Sequence, residues 1–185
     1  INKGFMVVLQ GRKEQPKLRK RKNLFNYAHS DFVSIQNDVL LVYYANGFIT
    51  TKSGPENIAM LCNTPTLGVN YTDFPSMMPL VKFRFVPKYP FYKKEKLGWE
   101  DFLTFEGFYE RGISENVSNN FNYKELSFNE LLYSLEEFLE MIDLPSKDWF
   151  KYSKIQKSYK NRVKKYHIDL FLIPGVPTNY YLNKE

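Results

Sequence analysis

Residues 80–86 read "LVKFRFV", which puts Val81, Phe83 and Phe85 on one side of an extended chain and Lys82 and Arg84 on the other. That period of two is what a half-buried β-strand requires. Pro87 and Pro90 close the run and hold the residues before them extended. Residues 127–142 carry a different period: Leu131, Leu132, Leu135, Phe138, Leu139 and Ile142 form one helical stripe, with Glu136, Glu137 and Glu140 outside it. Ser127 and Glu130 have the spacing of a capping box, and Leu126 can staple onto Leu131. The segment "DLP" (143–145) stops the helix. A fold that holds both signals is mixed α and β, and the glutamates of this core-facing helix read as a solvated face rather than as catalytic groups.

Other elements follow from shorter signals. Residues 1–30 read as a basic arm, disordered until bound, with the cluster Arg19, Lys20, Arg21 and Lys22. "DVLLVYYANGFITT" suggests a strand over 38–45 and a turn at Asn46-Gly47. Ser53 and Pro55 can open a short helix over 55–63, and "NYTDFPSMMP" reads as loop. After the prolines, "WEDFLTFEGFYERG" returns as a second aromatic-rich strand near 100–110. A hairpin arm of roughly ten residues at ~3.3 Å each would project about 33 Å. Residues 147–166 fit two patterns. As a helix they align Trp149, Tyr152, Ile155, Tyr159, Val163 and Tyr166 on one arc; as a strand, "DWFKYSKI" alternates. The helix period is stronger from Ile155 onward. "HIDLFLIPGVP" closes with a short strand or extended segment.

With 185 residues, 43% of them apolar, the chain suits one domain with extensions and a real core. No apolar run approaches the ~20 residues that span a bilayer, and neither a secretory signal nor a transit peptide is evident. Cys62 is the single cysteine, which rules out an intrachain disulfide and a thiolate metal cluster. The first residue is Ile, and alanine is confined to Ala28, Ala45 and Ala59 while Asn, Lys, Phe and Tyr abound. That bias fits an AT-rich, organellar genome.

The net charge of +6 is segregated. Residues 1–30 hold eight cations against Glu14, residues 82–96 hold six against Glu95, and residues 147–166 hold eight against Asp148. Residues 95–146 hold twelve acids and three cations. Three basic segments around an acidic middle suit a polyanion gripped at several places.

Little points to catalysis. His29-Ser30-Asp31 is not a triad, because triad members converge from separate elements. His167, between Tyr166 and Ile168, reads as a packed residue. Two histidines and one cysteine do not supply a zinc site, and there is no phosphate-cradling glycine loop. Glu106 and Glu110, four apart on a strand, are ~13 Å from one another along it. No catalytic residue, metal, cofactor or small-molecule substrate is expected, and the chain is not read as an enzyme.

The element order is strand, helix, strand, basic loop, strand, helix, strand. It is that of an α+β, ferredoxin-like βαββαβ sandwich with a long basic β-hairpin loop. On "MPLVKFRFV", "YPFYKKEK", "WEDF" and "LLYSLEEFLEMIDLPSKDWFKY", the chain resembles the small-subunit ribosomal protein ten family in its bacterial and organellar form. The resemblance covers roughly 38–155. It implies a basic N-terminal extension (1–37), a ferredoxin-like domain (38–155) with an extended loop 87–99 and an insertion 113–124, and a basic C-terminal extension (156–185). The chain departs from the family where a His-Lys-Arg run should fall, at "EGFYERG", of which Arg111 alone remains. The resemblance further implies a structural rRNA-binding protein of the small-subunit head that contributes to subunit assembly and translation. It would lie in a mitochondrial ribosome, or otherwise in the cytoplasm, beside head proteins three, nine and fourteen and away from membranes.

The residues themselves agree with an RNA role. Lys82, Arg84, Lys88, Lys93, Lys94 and Lys96 could neutralise phosphates, and Tyr89, Phe91 and Tyr92 could stack on bases or pack on the hairpin itself. Lys157, Lys160, Arg162, Lys164 and Lys165 would make a second RNA face, with Arg19–Lys22 as a third contact. Two rivals remain open: a sequence-specific DNA-binding domain of a restriction or mobile-element protein, and an interaction subunit of another organellar complex.

Overall fold

The computed structural model describes residues 4–51, 53–72, 82–99, 101, 121–166 and 175–184. The chain divides into two compact units, Ile1–Tyr44 and Ala45–Glu185.

In the first unit, β1 (Val7–Val8) pairs in parallel with β2 (Leu24–Phe25), and a 3₁₀ turn (Tyr27–His29) leads to α1 (Ile35–Tyr44). Arg19, Lys20, Arg21 and Lys22 lie exposed on the connection between the two strands. That connection is pinned where Asn26 exchanges two 3.1 Å hydrogen bonds with the backbone of Leu18. The strand expected over 38–45 is instead helical. Ser34 starts the helix, its hydroxyl accepting the Asn37 N–H at 3.1 Å, and the Gln10 amide donates to Asp38 Oδ1 at 3.0 Å. A short apolar run such as "VLLVYY" fits either period, and here the cap decides.

The second unit is built on a four-stranded, all-parallel sheet. Its strands are β3 (Phe48–Thr50), β4 (Thr66–Tyr71), β5 (Phe83–Pro87) and β9 (Val176–Pro177), in that spatial order. Between β3 and β4 runs α2 (Gly54–Cys62), which ends at Asn63 in the left-handed conformation (φ 52°). A helical crossover of this kind delivers its second strand parallel to the first. β4 is the element that the loop-like flanks of its sequence concealed, although Pro65 bounds it and Thr66, Leu67, Val69 and Tyr71 are strand formers.

β5 matches the expected strand, but both of its faces are buried rather than one, as parallel sheets demand. Phe83 and Phe85 stack at 6.0 Å and meet Tyr71 on one face. Arg84 points to the other face, under Trp149. Space on the Phe83 face is tight: a Cβ on Gly68 would lie 2.3 Å from the Tyr71 ring, and one on Gly175 would lie 2.6 Å from Phe83.

A second, antiparallel sheet has the order β7 (Glu95–Lys96), β6 (Tyr89–Tyr92), β8 (Phe121–Lys124). Among the described residues, the later helical elements of the unit include α3 (Phe128–Met141), a 3₁₀ turn (Ser146–Phe150), α4 (Lys154–Tyr166) and α5 (Asn179–Lys184). The capping box on α3 forms as expected, Ser127 N–H donating to Glu130 Oε2 at 2.7 Å while Ser127 Oγ accepts the Glu130 N–H at 3.4 Å. Within 147–166 the helix period prevails from Lys154, and the expected final strand is a 3₁₀ turn.

The fold is therefore mixed α and β, but its described strands do not pair as in a ferredoxin-like sandwich. The first and last expected strands are helical, and the main sheet is parallel. Apart from Asp101, which is helical where a strand was expected, the segment 100–110 lies outside the described residues, as do the larger part of the 113–124 insertion, His167, Glu106, Glu110 and Arg111.

Candidate functional site

The four strands of a parallel sheet all end on one edge, the edge at which open α/β sheets bind ligands where their strand order reverses. In this sheet the order β3-β4-β5-β9 runs without reversal, so the helix starts at that edge have to locate any site. Here Thr50 ends β3, Tyr71 ends β4, Pro87 ends β5 and Pro177 ends β9. Two helices begin on the same edge, α2 after β3 and α5 after β9.

The start of α2 is open. Ser53 holds the cap position in extended conformation (φ −157°, ψ 166°), yet its side chain makes no capping hydrogen bond among the described residues. Its hydroxyl is instead 3.1 Å from Thr50 Oγ1, which donates to the Thr51 carbonyl at 2.6 Å. Pro55 has no N–H to satisfy, and among the described residues nothing lies within 4 Å of the place a Gly54 Cβ would occupy. Gly54 and Asn57 are exposed. The Glu56 N–H is taken by the Ser53 carbonyl at 3.1 Å, so the exposed Gly54 N–H and the positive end of the helix dipole are what this turn offers an anion such as a phosphate or carboxylate. Beneath that turn, Glu56 is almost wholly buried and its carboxylate accepts the Tyr71 hydroxyl, tying α2 to the end of β4.

The start of α5 is closed. The Glu137 carboxylate accepts the Asn179 N–H at 3.0 and 2.8 Å and the Asn179 Nδ2 at 3.1 Å. Burial pushes the Glu137 carboxyl pKa above its ordinary value, against the lowering effect of the Asn179 and Tyr180 N–H groups and the Arg84 charge.

The basic hairpin is rooted at this edge, because β6 follows β5 with Lys88 alone between them. It is not a projecting finger. β6 is four residues, roughly 13 Å, and it pairs with β7 through the two-residue turn Lys93-Lys94, both at positive φ (49° and 71°). The aromatic residues pack inward. Tyr89 is buried, stacks on Tyr181 at 5.6 Å and donates to Glu130 at 2.7 Å. Tyr92 sits 5.3 Å from Phe121, and Phe91 is half-buried opposite Lys96 and Asn122.

The cations divide accordingly. Lys88 pairs with Glu125 at 3.0 Å, and Lys96 covers the Tyr89 ring at 4.3 Å. Lys93 and Lys94 are exposed, and Lys82 is half-buried with its carbonyl bonded to the Thr66 N–H. Arg84 is a core residue: one amino group donates to the Phe83 carbonyl and the other to the Trp149 carbonyl. Burial lowers its pKa to about 10. On α4, Lys157, Lys164 and Lys165 are exposed, Arg162 is half-buried, and Lys160 is buried with its pKa lowered by desolvation to about 8. Expecting Arg84 and Lys160 at an RNA surface was therefore an error that alternation and charge alone invite.

His29 is bonded through Nε2 to the Gln15 carbonyl at 2.9 Å. Among the described residues no three His, Cys, Asp or Glu side chains gather as metal ligands, and no helix is long and apolar enough to cross a membrane. Sequence reasoning missed the Thr50–Ser53–Gly54 corner and the Glu56–Tyr71 pair; recognising "TLGVNY" as a strand would have exposed the strand–helix–strand unit that creates both. Comparison of the chain with protein-family models, with curated proteins and with solved structures finds no match.

Proposed function

We propose that the second unit binds a phosphorylated small molecule at the carboxyl edge of its parallel sheet. The observation that carries this reading is the open first turn of α2 at the end of β3. Its dipole, the Gly54 N–H and the space over Gly54 among the described residues favour an anion, and the Tyr71–Glu56 bond holds the turn in place. Lys93 and Lys94, on a hairpin rooted at the same edge, add positive potential that draws such a ligand in. Equilibrium dialysis of the full chain against labelled ADP and UDP, with the parent nucleosides as controls, tests it. Saturable binding of the diphosphates over the nucleosides is expected; equal uptake of both, or of neither, contradicts it.

A second reading retains the expected rRNA-binding role in the small-subunit head and the head-protein neighbours, on a parallel-sheet body in place of the ferredoxin-like one. The exposed cations Arg19–Lys22 and Lys157, Lys164 and Lys165 favour it. The compact hairpin and the buried Arg84 remove the threaded finger on which that role leaned. Sedimentation of the native protein with and without ribonuclease separates the two: ribonuclease-sensitive co-migration with the small subunit supports the ribosomal role, and free migration under both conditions opposes it.

A further inference from the structure

In the first unit, α1 is apolar on the side it turns to solvent. At about 3.6 residues per turn, Ile35, Gln36, Val39, Leu40, Tyr43 and Tyr44 share one half of its surface, and all six are exposed. The exposure is 81% for Ile35, 38% for Val39, 48% for Leu40, 58% for Tyr43 and 75% for Tyr44. The other half carries the buried Val42 and the polar groups of the helix. Asp38, the one charged residue of α1, accepts the Gln10 amide, and Asn37 donates to the Phe32 carbonyl at 2.7 Å. A surface helix normally has the reverse arrangement, and one that is apolar all round is covered. We propose that a second copy of this chain covers it, α1 packing against α1 across a two-fold axis.

Charge and area select that occupant. A two-fold contact sets a patch against itself, so a charge near the axis would meet its like. This arc holds none, and Gln36 is its one polar residue. An acidic partner would find no cation on α1, and RNA would find nothing there to hold a phosphate. Helices that lie on a bilayer carry Lys or Arg on the polar face, where α1 has Asp38. Phe32 and Val33, exposed just ahead of the helix, extend the patch. Together these residues present on the order of 800 Å², one partner's share of a stable interface. Contiguous apolar surface of that size marks an interaction site.

The spacing along the helix sets the register. Ile35, Val39 and Tyr43 follow one another at (i, i+4), as do Leu40 and Tyr44, which makes two adjacent apolar rows. Antiparallel pairing about a two-fold axis puts Val39 and Leu40 at the crossing, beside their own copies. It sets Ile35 of one chain against the tyrosines of the other, whose rings already meet edge to face at 4.9 Å. The smaller side chains thus lie where the helices come closest and the bulky rings lie at the ends. The tyrosine hydroxyls stay within reach of the rim and of Gln36, as interface tyrosines require.

This inference does not rest on the α2 reading, which concerns the other unit. Sedimentation velocity of the full chain across micromolar concentrations tests it, with Leu40→Lys, with Phe128→Glu as a control at an exposed apolar residue of α3, and with Val39→Cys in a Cys62→Ser background. A reversible dimer is expected. Its dissociation constant should rise about 100-fold in Leu40→Lys, which buries a charge at the axis, and should be unchanged in Phe128→Glu. Val39→Cys should give a covalent dimer on mild oxidation. Leu40 is exposed and lysine is a good helix former, so circular dichroism and the melting temperature of Leu40→Lys should match the parent. The inference is overturned if the chain is monomeric throughout, if the dimer survives Leu40→Lys or is lost equally in Phe128→Glu, or if Val39→Cys does not cross-link. It is also overturned if Leu40→Lys instead abolishes binding of a monomeric chain to phosphatidylserine vesicles.

Discussion

Arg84 donates a 2.9 Å hydrogen bond to the Trp149 carbonyl, and its guanidinium lies 5.3 Å over the Trp149 ring. A residue that alternation would send to the surface thus ties the central strand to the 3₁₀ turn 65 positions later. The cation is accommodated because both amino groups meet carbonyls and Trp149 and Tyr152 flank it, although burial lowers its pKa to about 10. Arg84→Ala should cost roughly 2–4 kcal/mol, because it opens a cavity and strips two buried carbonyls of a donor. Arg84→Met, which keeps the volume, should cost less. Urea unfolding followed by fluorescence measures both, and a cost below ~0.5 kcal/mol for Arg84→Ala would refute the structural role.

Lys160 gives the protein a pH dependence of known sign. Its folded pKa of about 8 lies below the ordinary 10.5, so the unfolded chain holds more protons between those values. Stability therefore rises with pH from about 8 to 10.5, and the penalty of burying the charge is complete below 8. Lys160→Met should be more stable than the parent at pH 7, and the difference should shrink as pH climbs through that window. Thermal melts at pH 7, 8.5 and 10 follow it; a constant difference contradicts it.

Gly68 tests the packing beneath the candidate site. A Cβ there would lie 2.3 and 2.8 Å from the Tyr71 ring and 3.1 Å from Phe83. Gly68→Ala should therefore destabilise by about 1–3 kcal/mol through overpacking, and it should displace the Tyr71 hydroxyl that holds Glu56. Tyr71→Phe leaves the ring and removes the hydroxyl, stranding a buried carboxylate at about 1–3 kcal/mol. Chemical denaturation of both variants gives the comparison.

The hairpin turn carries two lysines in a conformation that favours Asn and Gly (φ 49° and 71°). Lys93→Asn with Lys94→Gly should stabilise the second unit by roughly 0.5–1 kcal/mol while removing two exposed cations. If those cations draw in the ligand, its association rate falls and loses part of its salt dependence. Stopped-flow binding at two salt concentrations reads this out.

How far the sequence could be read follows from the range of its signals. The α3 helix and its cap were legible because Ser127 and Glu130 settle the matter within four residues. β5 was legible as a strand, but period two cannot say whether one face or both are covered, so Arg84 was misplaced. The "VLLVYY" run is short and apolar and fits either element, and the Ser34 cap, not the run, makes it helical. The sheet's parallel register depended on recognising β4, whose "TLGVNY" was hidden between loop-like flanks. The site was missed with it, since Thr50, Gly54 and Tyr71 come together only once β3, α2 and β4 are in place.

The central claim is that the first turn of α2 receives a phosphate group. An amide-resolved titration with ADP and UDP tests it most directly, on the parent protein and on Gly54→Asp. That substitution places a carboxylate in the first turn, where it favours the helix but repels an anion. The account predicts saturable shifts at the Gly54 and Asn57 amides in the parent, lost in Gly54→Asp while its melting temperature is held or raised. Shifts of equal size and affinity in the two proteins, or none at those amides in either, would contradict it.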